Sequence, residues 1–114
     1  MSRSTVSIQS YADARHRQAV VQLWETVFGY ETAHNAPTVV IGKKLEAEDG
    51  LFFVATVEEE VVGTVLAGYD GHRGWLYSVA VHPSRRRVGL GTELIRHAEQ
   101  SLGRLGCMKI VSVR

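Results

Sequence analysis

The chain has a single cysteine, Cys107, among 114 residues, which excludes an intramolecular disulfide and a cysteine-rich metal site. Lying between Gly106 and an apolar stretch, that thiol reads as a buried structural group rather than a nucleophile. An excess of charge of one sign is also lacking. Thirteen Lys and Arg against 12 Asp and Glu leave a formal net charge of +1. That gives no basic field to grip nucleic acid, and no stacking aromatics interleave with the one basic run, Arg85 to Arg87. No apolar run approaches the length of a bilayer-spanning helix, and the polar N-terminus has no apolar h-region, so a cytoplasmic protein with no membrane partner is expected. Internal repeats and low-complexity segments are missing. What remains is ordinary for a globular chain, 45% apolar and 22% charged. Its length suits one domain over residues 1–114 that buries roughly two-thirds of its unfolded surface without help from metal or disulfides.

Hydrophobic periodicity orders the elements. Val6 and Ile8 alternate with polar neighbours as a first strand, and Asp13 is expected to cap a helix whose buried face is Val20, Leu23, Trp24, Val27 and Phe28, with Gly29 as the stop. Residues 30–36 read as a loop. Pro37 suits the first turn of a second helix carrying Ile41 and Leu45, which Gly50 ends. Leu51 to Val57 and Val61 to Tyr69 form a hairpin about an acidic turn, Glu58 to Glu60. A second hairpin follows, with its turn at Asp70 to Gly74 and its return strand from Trp75 to Val81. Leu90, Leu94, Ile95, Ala98 and Leu102 mark the buried face of a third helix, Gly106 ends it, and Met108 to Val113 is a last strand. The order β-α-α-β-β-β-α-β predicts an α/β fold, a mixed and mostly antiparallel sheet flanked by helices.

The most informative segment runs from Leu76 to Thr92, where a strand passes through a basic, glycine-containing turn into a helix. Free backbone N–H groups at a helix start point outward at the positive end of the helix dipole, and Gly89 and Gly91 let a ligand approach where a Cβ would stand. An anion-binding turn is the reading. A Walker loop is excluded because no lysine lies in the turn, and a dinucleotide fingerprint because Leu94 occupies the place of its third small residue.

The spacing Arg86-x-x-Gly89-x-Gly91 resembles the pyrophosphate loop, [QR]-x-x-G-x-[GA], of the GNAT superfamily of acetyl-CoA-dependent N-acyltransferases. The Val-x-Val-His-Pro strand exit is similar to the end of that superfamily's fourth strand. Val61 to Val65, Gly68 to Gly74, Gly106-Cys107 and Lys109-Ile110 extend the resemblance to the bacterial YpeA-type acetyltransferases from about Leu51 onward. Arg87, often Gly in the superfamily, and Val88, often basic, depart from the commonest loop but leave the defining positions intact. The resemblance implies acetyl-CoA as co-substrate. Its pyrophosphate would lie on Arg86, Arg87, Val88, Gly89, Leu90, Gly91 and Thr92, and its pantetheine arm along the backbone of Val79, Ala80 and Val81. Direct transfer to a small-molecule or peptide amine in a ternary complex is the implied reaction. Superfamily members usually continue past the fifth strand with another helix and a strand pair. A GNAT-like sheet stopping after its fifth strand is therefore expected to have its last edge covered by a second copy, as a homodimer.

Proton chemistry is less legible. A general base must reach the amine directly or through water. Glu31 and His34 in the loop between the first helices, Asp70 and His72 in the hairpin turn, and Tyr77 on the fourth strand are the candidates. Asp70 before Gly71 is equally a standard turn residue, His72, Glu31 and His34 equally solvated, and Tyr77 equally a core residue with its hydroxyl at the surface. His82 reads as a strand-exit residue, and His16 and His97 as packed or solvated helix positions. Two readings of function follow, an N-acetyltransferase or an acyl-CoA-binding module without full catalysis. A nucleic-acid-binding protein fits the balanced charge poorly.

Overall fold

The alternation at Val6 and Ile8 gives β1 (Val6–Ser10), the first element of a computed structural model that describes residues 6–29, 36–86 and 89–112. In α1 (Asp13–Phe28) the buried positions are His16, Val20, Leu23 and Trp24. Val27 is half-buried, and Phe28, 40% exposed, falls off the stripe because the helix ends there against Gly29, whose φ is 59°. The N-terminal cap also departs from expectation. Ala12 holds the cap position and Asp13 is already helical. Its carboxylate accepts from the Tyr11 hydroxyl at 2.7 Å and from Arg17 Nε at 2.8 Å. The Ala12 N–H is taken up by His16 Nδ1 at 2.9 Å.

Pro37 opens α2 (Pro37–Ala47) as its fixed φ allows. Ile41 is buried, but the second inward position is Lys44 and not Leu45, which is 38% exposed. This helix is capped by Glu48 in the left-handed region, so Gly50 follows the stop without making it. Strands β2 (Phe52–Val57) and β3 (Glu60–Tyr69) are joined by a two-residue turn, Glu58-Glu59, with φ of 50° and 69°. That is the primed geometry whose twist matches a hairpin, and it returns Glu60 to the strand. After β4 (Gly74–Val81) come a single 3-10 turn (Pro83–Arg85), α3 (Leu90–Arg104) and a short β5 (Ile110–Ser112). Met108, expected in the last strand, is 96% exposed and precedes it, while Val113 and Arg114 lie outside the described residues.

The strands form one sheet in the order β1-β2-β3-β4-β5, antiparallel except for the β4–β5 pair, which α3 connects as a crossover. Every residue of β2 is buried because both faces of the sheet are covered. On one face, Phe53, Ala55, Val65 and Leu76 pack beneath Leu90, Leu94, Ala98 and Leu102 of α3. Opposite them, Phe52, Val54, Leu66 and Ala80 meet Val20, Leu23 and Trp24 of α1 and Ile41 of α2. Ile95 is only half-buried, at the border of the α3 stripe. Cys107 is also partly exposed and donates to the Lys109 carbonyl at 3.3 Å.

Candidate functional site

Strand β4 carries an irregularity that arranges the site. Thr64 of β3 pairs with Ala80 and Leu66 with Tyr77, so a single β3 residue, Val65, stands against two on β4, Ser78 and Val79. This is a β-bulge, and Ser78 occupies the left-handed region at φ 49°. Its effect is a change of parity. Leu76 packs on the α3 face and Tyr77 on the α1/α2 face. Strict alternation would then place Ala80 under α3 and turn Val79 and Val81 the other way. Instead Val79 and Val81 pack on the α3 side and Ala80 in the α1/α2 core.

Beyond the bulge, one edge of β4 is open. Strand β5 pairs with Gly74, Trp75 and Leu76, and among the described residues no strand pairs with that edge from Tyr77 to Val81. Because the His82 N–H donates to Val62 O of β3 at 2.8 Å, the backbone groups of Val81, one residue back, face away from β3. Arg86 Nε donates to that Val81 carbonyl at 3.3 Å. Close by, α3 begins at Leu90 behind the cap residue Gly89, whose φ of 80° suits glycine and which has no side chain to cap the first turn. Val79, Val81, Arg86, Gly89, Leu90, Gly91 and Thr92 thus meet in one open groove of about 440 Å³, with Val27 of α1 and Arg85 completing it. Of the residues expected to bind a cofactor, Ala80 has its side chain on the opposite face, and Arg87 and Val88 lie outside the described residues.

A second cavity of about 520 Å³ opens on the α2 side and brings Asp70 and Tyr77 together with Trp75, Asp49 and Lys44. Lys44, missed from sequence, is 7% exposed, and its Nζ donates to Asp49 Oδ2 at 2.8 Å and to the Ala67 carbonyl, 5.7 Å from the centre of the Tyr77 ring. The available signal was its place three residues after Ile41, on the inward stripe of α2. Asp70 behaves as a turn residue. Its Oδ1 accepts from the backbone N–H groups of Arg73 at 2.7 Å and His72 at 2.8 Å, and these bonds hold its carboxyl below the usual carboxylate range, the wrong direction for a base. His72 is exposed on the same turn, and Glu31 and His34 lie outside the described residues. His82 caps the 3-10 turn, its Nδ1 accepting from the Ser84 N–H at 3.1 Å. His16 and His97 are both held below the usual imidazole range by burial, and His97 stands edge-on to Phe53 at 4.6 Å.

The descriptions of known proteins agree with this geometry. Residues 16–114 match the Acetyltransferase (GNAT) family. An acetyltransferase of Pectobacterium atrosepticum is 43% identical over 93 residues, 82% of this chain and 65% of that protein. One from Photorhabdus laumondii is 43% identical over 96 residues, 84% of this chain and 66% of its own length, so the chain spans just under two-thirds of these relatives. In fold it is similar to a GNAT family acetyltransferase of Brucella melitensis solved in complex with acetyl-CoA, with a TM-score of 0.76 and 22% identity over 98% of this chain and 77% of that one. A strand with an open edge meeting a glycine-started helix, on a sheet of this topology and with these relatives, places the chain in the acetyltransferase (GNAT) family.

Proposed function

We propose that the groove beside β4 binds acetyl-CoA and that the chain serves an N-acetyltransferase, passing the acetyl group directly to a primary amine in a ternary complex. The observation that carries this reading is the meeting, in one groove, of the start of α3 at Gly89 and Gly91 with the open backbone edge of β4 at Val79 and Val81. The first offers N–H groups and a positive dipole end to a pyrophosphate. The second offers a ladder edge to the amide-bearing pantetheine arm, which would add to the sheet as an extra strand. Arg86, exposed at the mouth, supplies a cation for the phosphates. The acetyl carbon would then lie near the bulge, within reach of an amine entering from the cavity that Tyr77 lines. Holding donor and acceptor in this geometry supplies most of the rate when the amine arrives neutral.

The test is isothermal titration with acetyl-CoA, comparing the wild type with Gly89→Glu. Saturable binding lost in the folded variant is the expected outcome, since the substitution puts bulk and negative charge at the helix start. Equal affinity in the two proteins would refute the placement of the site. A second reading, an acyl-CoA-binding module without turnover, draws on Asp70 being held in the anionic, weakly basic state. Release of CoA on addition of a panel of primary amines separates the two.

A further inference from the structure

The bulge that inverts β4 is held by a buried relay. Trp24 Nε1 donates to Thr64 Oγ1 at 2.8 Å, and Thr64 Oγ1 donates to the Ser78 carbonyl at 3.0 Å. Proton bookkeeping fixes the direction of both bonds. An indole nitrogen only donates, so the threonine oxygen accepts from it and turns its own hydrogen to the carbonyl Ser78 O. Trp24 and Thr64 are each 0% exposed, so no water competes. The carbonyl they pin belongs to a left-handed residue that is not glycine, a conformation that persists only where its surroundings impose it.

That carbonyl shares a planar peptide with the Val79 N–H, and no peptide of the described chain is cis. In a trans peptide the C=O and N–H point in opposite directions. Pinning Ser78 O toward Thr64 of β3 therefore aims the Val79 N–H away from β3, at the open edge where Val79 lines the groove. Three dipoles, indole N–H, hydroxyl and peptide, run head to tail toward that edge, and each polarises the next.

We propose that Trp24 and Thr64 are positioning residues that fix and strengthen the Val79 N–H as the donor polarising the acetyl carbonyl of bound acetyl-CoA. The inference rests on the acetyl-CoA reading of the groove. Neither side chain touches the ligand. They act through the Ser78–Val79 peptide, and a hydroxyl at position 64 is the indispensable element.

The experiment needs no knowledge of the acceptor. Acetyl-CoA labelled with carbon-13 at the acetyl carbonyl is bound to the wild type, Thr64→Val, Thr64→Ser and Trp24→Phe, and its C=O stretch is read by isotope-edited infrared difference spectroscopy. Affinities for acetyl-CoA and free CoA are measured alongside. In the wild type the bound carbonyl should absorb at lower frequency than in solution. Thr64→Val should lose that downshift and weaken acetyl-CoA about fivefold, the factor for one neutral hydrogen bond, while CoA, which has no acetyl group, binds as before. Thr64→Ser should keep the wild-type band, and Trp24→Phe should fall between, which also serves if the valine variant does not fold. A wild-type band and a wild-type acetyl-CoA to CoA affinity ratio in folded Thr64→Val or Trp24→Phe would overturn the relay. Absence of acetyl-CoA binding by the wild type would refute the groove reading itself and remove the basis of the relay. A purely structural role would weaken CoA and acetyl-CoA alike, and that result also rejects it.

Discussion

Gly63 marks a close approach of α3 to the sheet, and filling that space tests how the groove is held. On β3 it faces Val81 across the ladder and lies beneath Leu94 of α3. A methyl group at this position would stand 2.8 Å from Leu94 Cδ1, 3.1 Å from the Ala80 carbonyl oxygen and 3.6 Å from the Ala55 methyl. Leu94 is 0% exposed and has no solvent to swing into, and the Ala80 oxygen belongs to the backbone. Gly63→Ala should therefore cost about 1–3 kcal/mol, the usual range for overpacking. Leu94→Ala opens a cavity instead and should cost about 2–5 kcal/mol. In the double variant the new methyl enters the space Leu94 leaves, so the two losses should not add. The pair should be more stable than the sum of the single changes predicts by about 1 kcal/mol or more. Urea denaturation at fixed pH measures all four corners of the cycle. The first turn of α3 carries Gly91 against Val81, so a helix lifted by Gly63→Ala should also bind acetyl-CoA more weakly, and Leu94→Ala should restore part of that loss. Additive energies within about 0.5 kcal/mol would show that the contact between Gly63 and Leu94 does not set the helix height.

Gly91 is the counter-case. It lies inside the first turn of α3, and among the described residues an added Cβ would meet Val81 Cγ2 at an ordinary 3.7 Å. Gly91→Ala should thus raise stability by up to about 1 kcal/mol through helix propensity, as thermal unfolding can check. Stability should also fall below neutral pH. His16 and His97 have lowered values in the folded chain, so neither is protonated in either state above the ordinary imidazole value of about 6.5. As pH drops below that value the unfolded chain takes up protons that the folded chain resists, and folding weakens. Denaturation midpoints from pH 8 to 5 should decline, and His97→Gln should flatten the slope. An unchanged slope in folded His97→Gln would remove that histidine from the account.

Most of the framework was written in the sequence because it depends on local signals. Alternation at Val6 and Ile8, the stripe of Leu90, Leu94, Ala98 and Leu102, Pro37 at a helix start and Gly29 at a stop each act within a few residues, and each appears where its chemistry predicts. The glycines of the groove were legible for the same reason. The failures came where a hydrogen-bonding side chain, rather than the periodicity of the element, decided the outcome. Asp13 has the chemistry of a cap, but Tyr11 and Arg17 occupy its carboxylate, and His16 takes the N–H at Ala12. Leu45 is apolar, but Lys44 turns inward because Asp49 and the Ala67 carbonyl are there to receive it. Removing the charge from water is tolerable only with such partners in place.

The bulge at Ser78 is the strongest case of this kind. Read as an uninterrupted strand, Trp75 to Val81 alternates with period two, and its last three side chains fall on the wrong faces. No glycine or asparagine advertises the left-handed residue. The device that imposes it lies 54 residues upstream at Trp24 and 14 upstream at Thr64, whose hydroxyl bridges the two. Each residue alone reads as core. Only when α1 packs on β3 do a donor, a relay and a strained carbonyl come into line, and only then do Val79 and Val81 turn to the groove that Gly89 and Gly91 close from the other side. A sequence reading therefore finds the residues of such a site before the orientation of its backbone. That orientation is set by hydrogen bonds between elements, where the indole of the first helix reaches across the sheet to the edge that would hold the thioester.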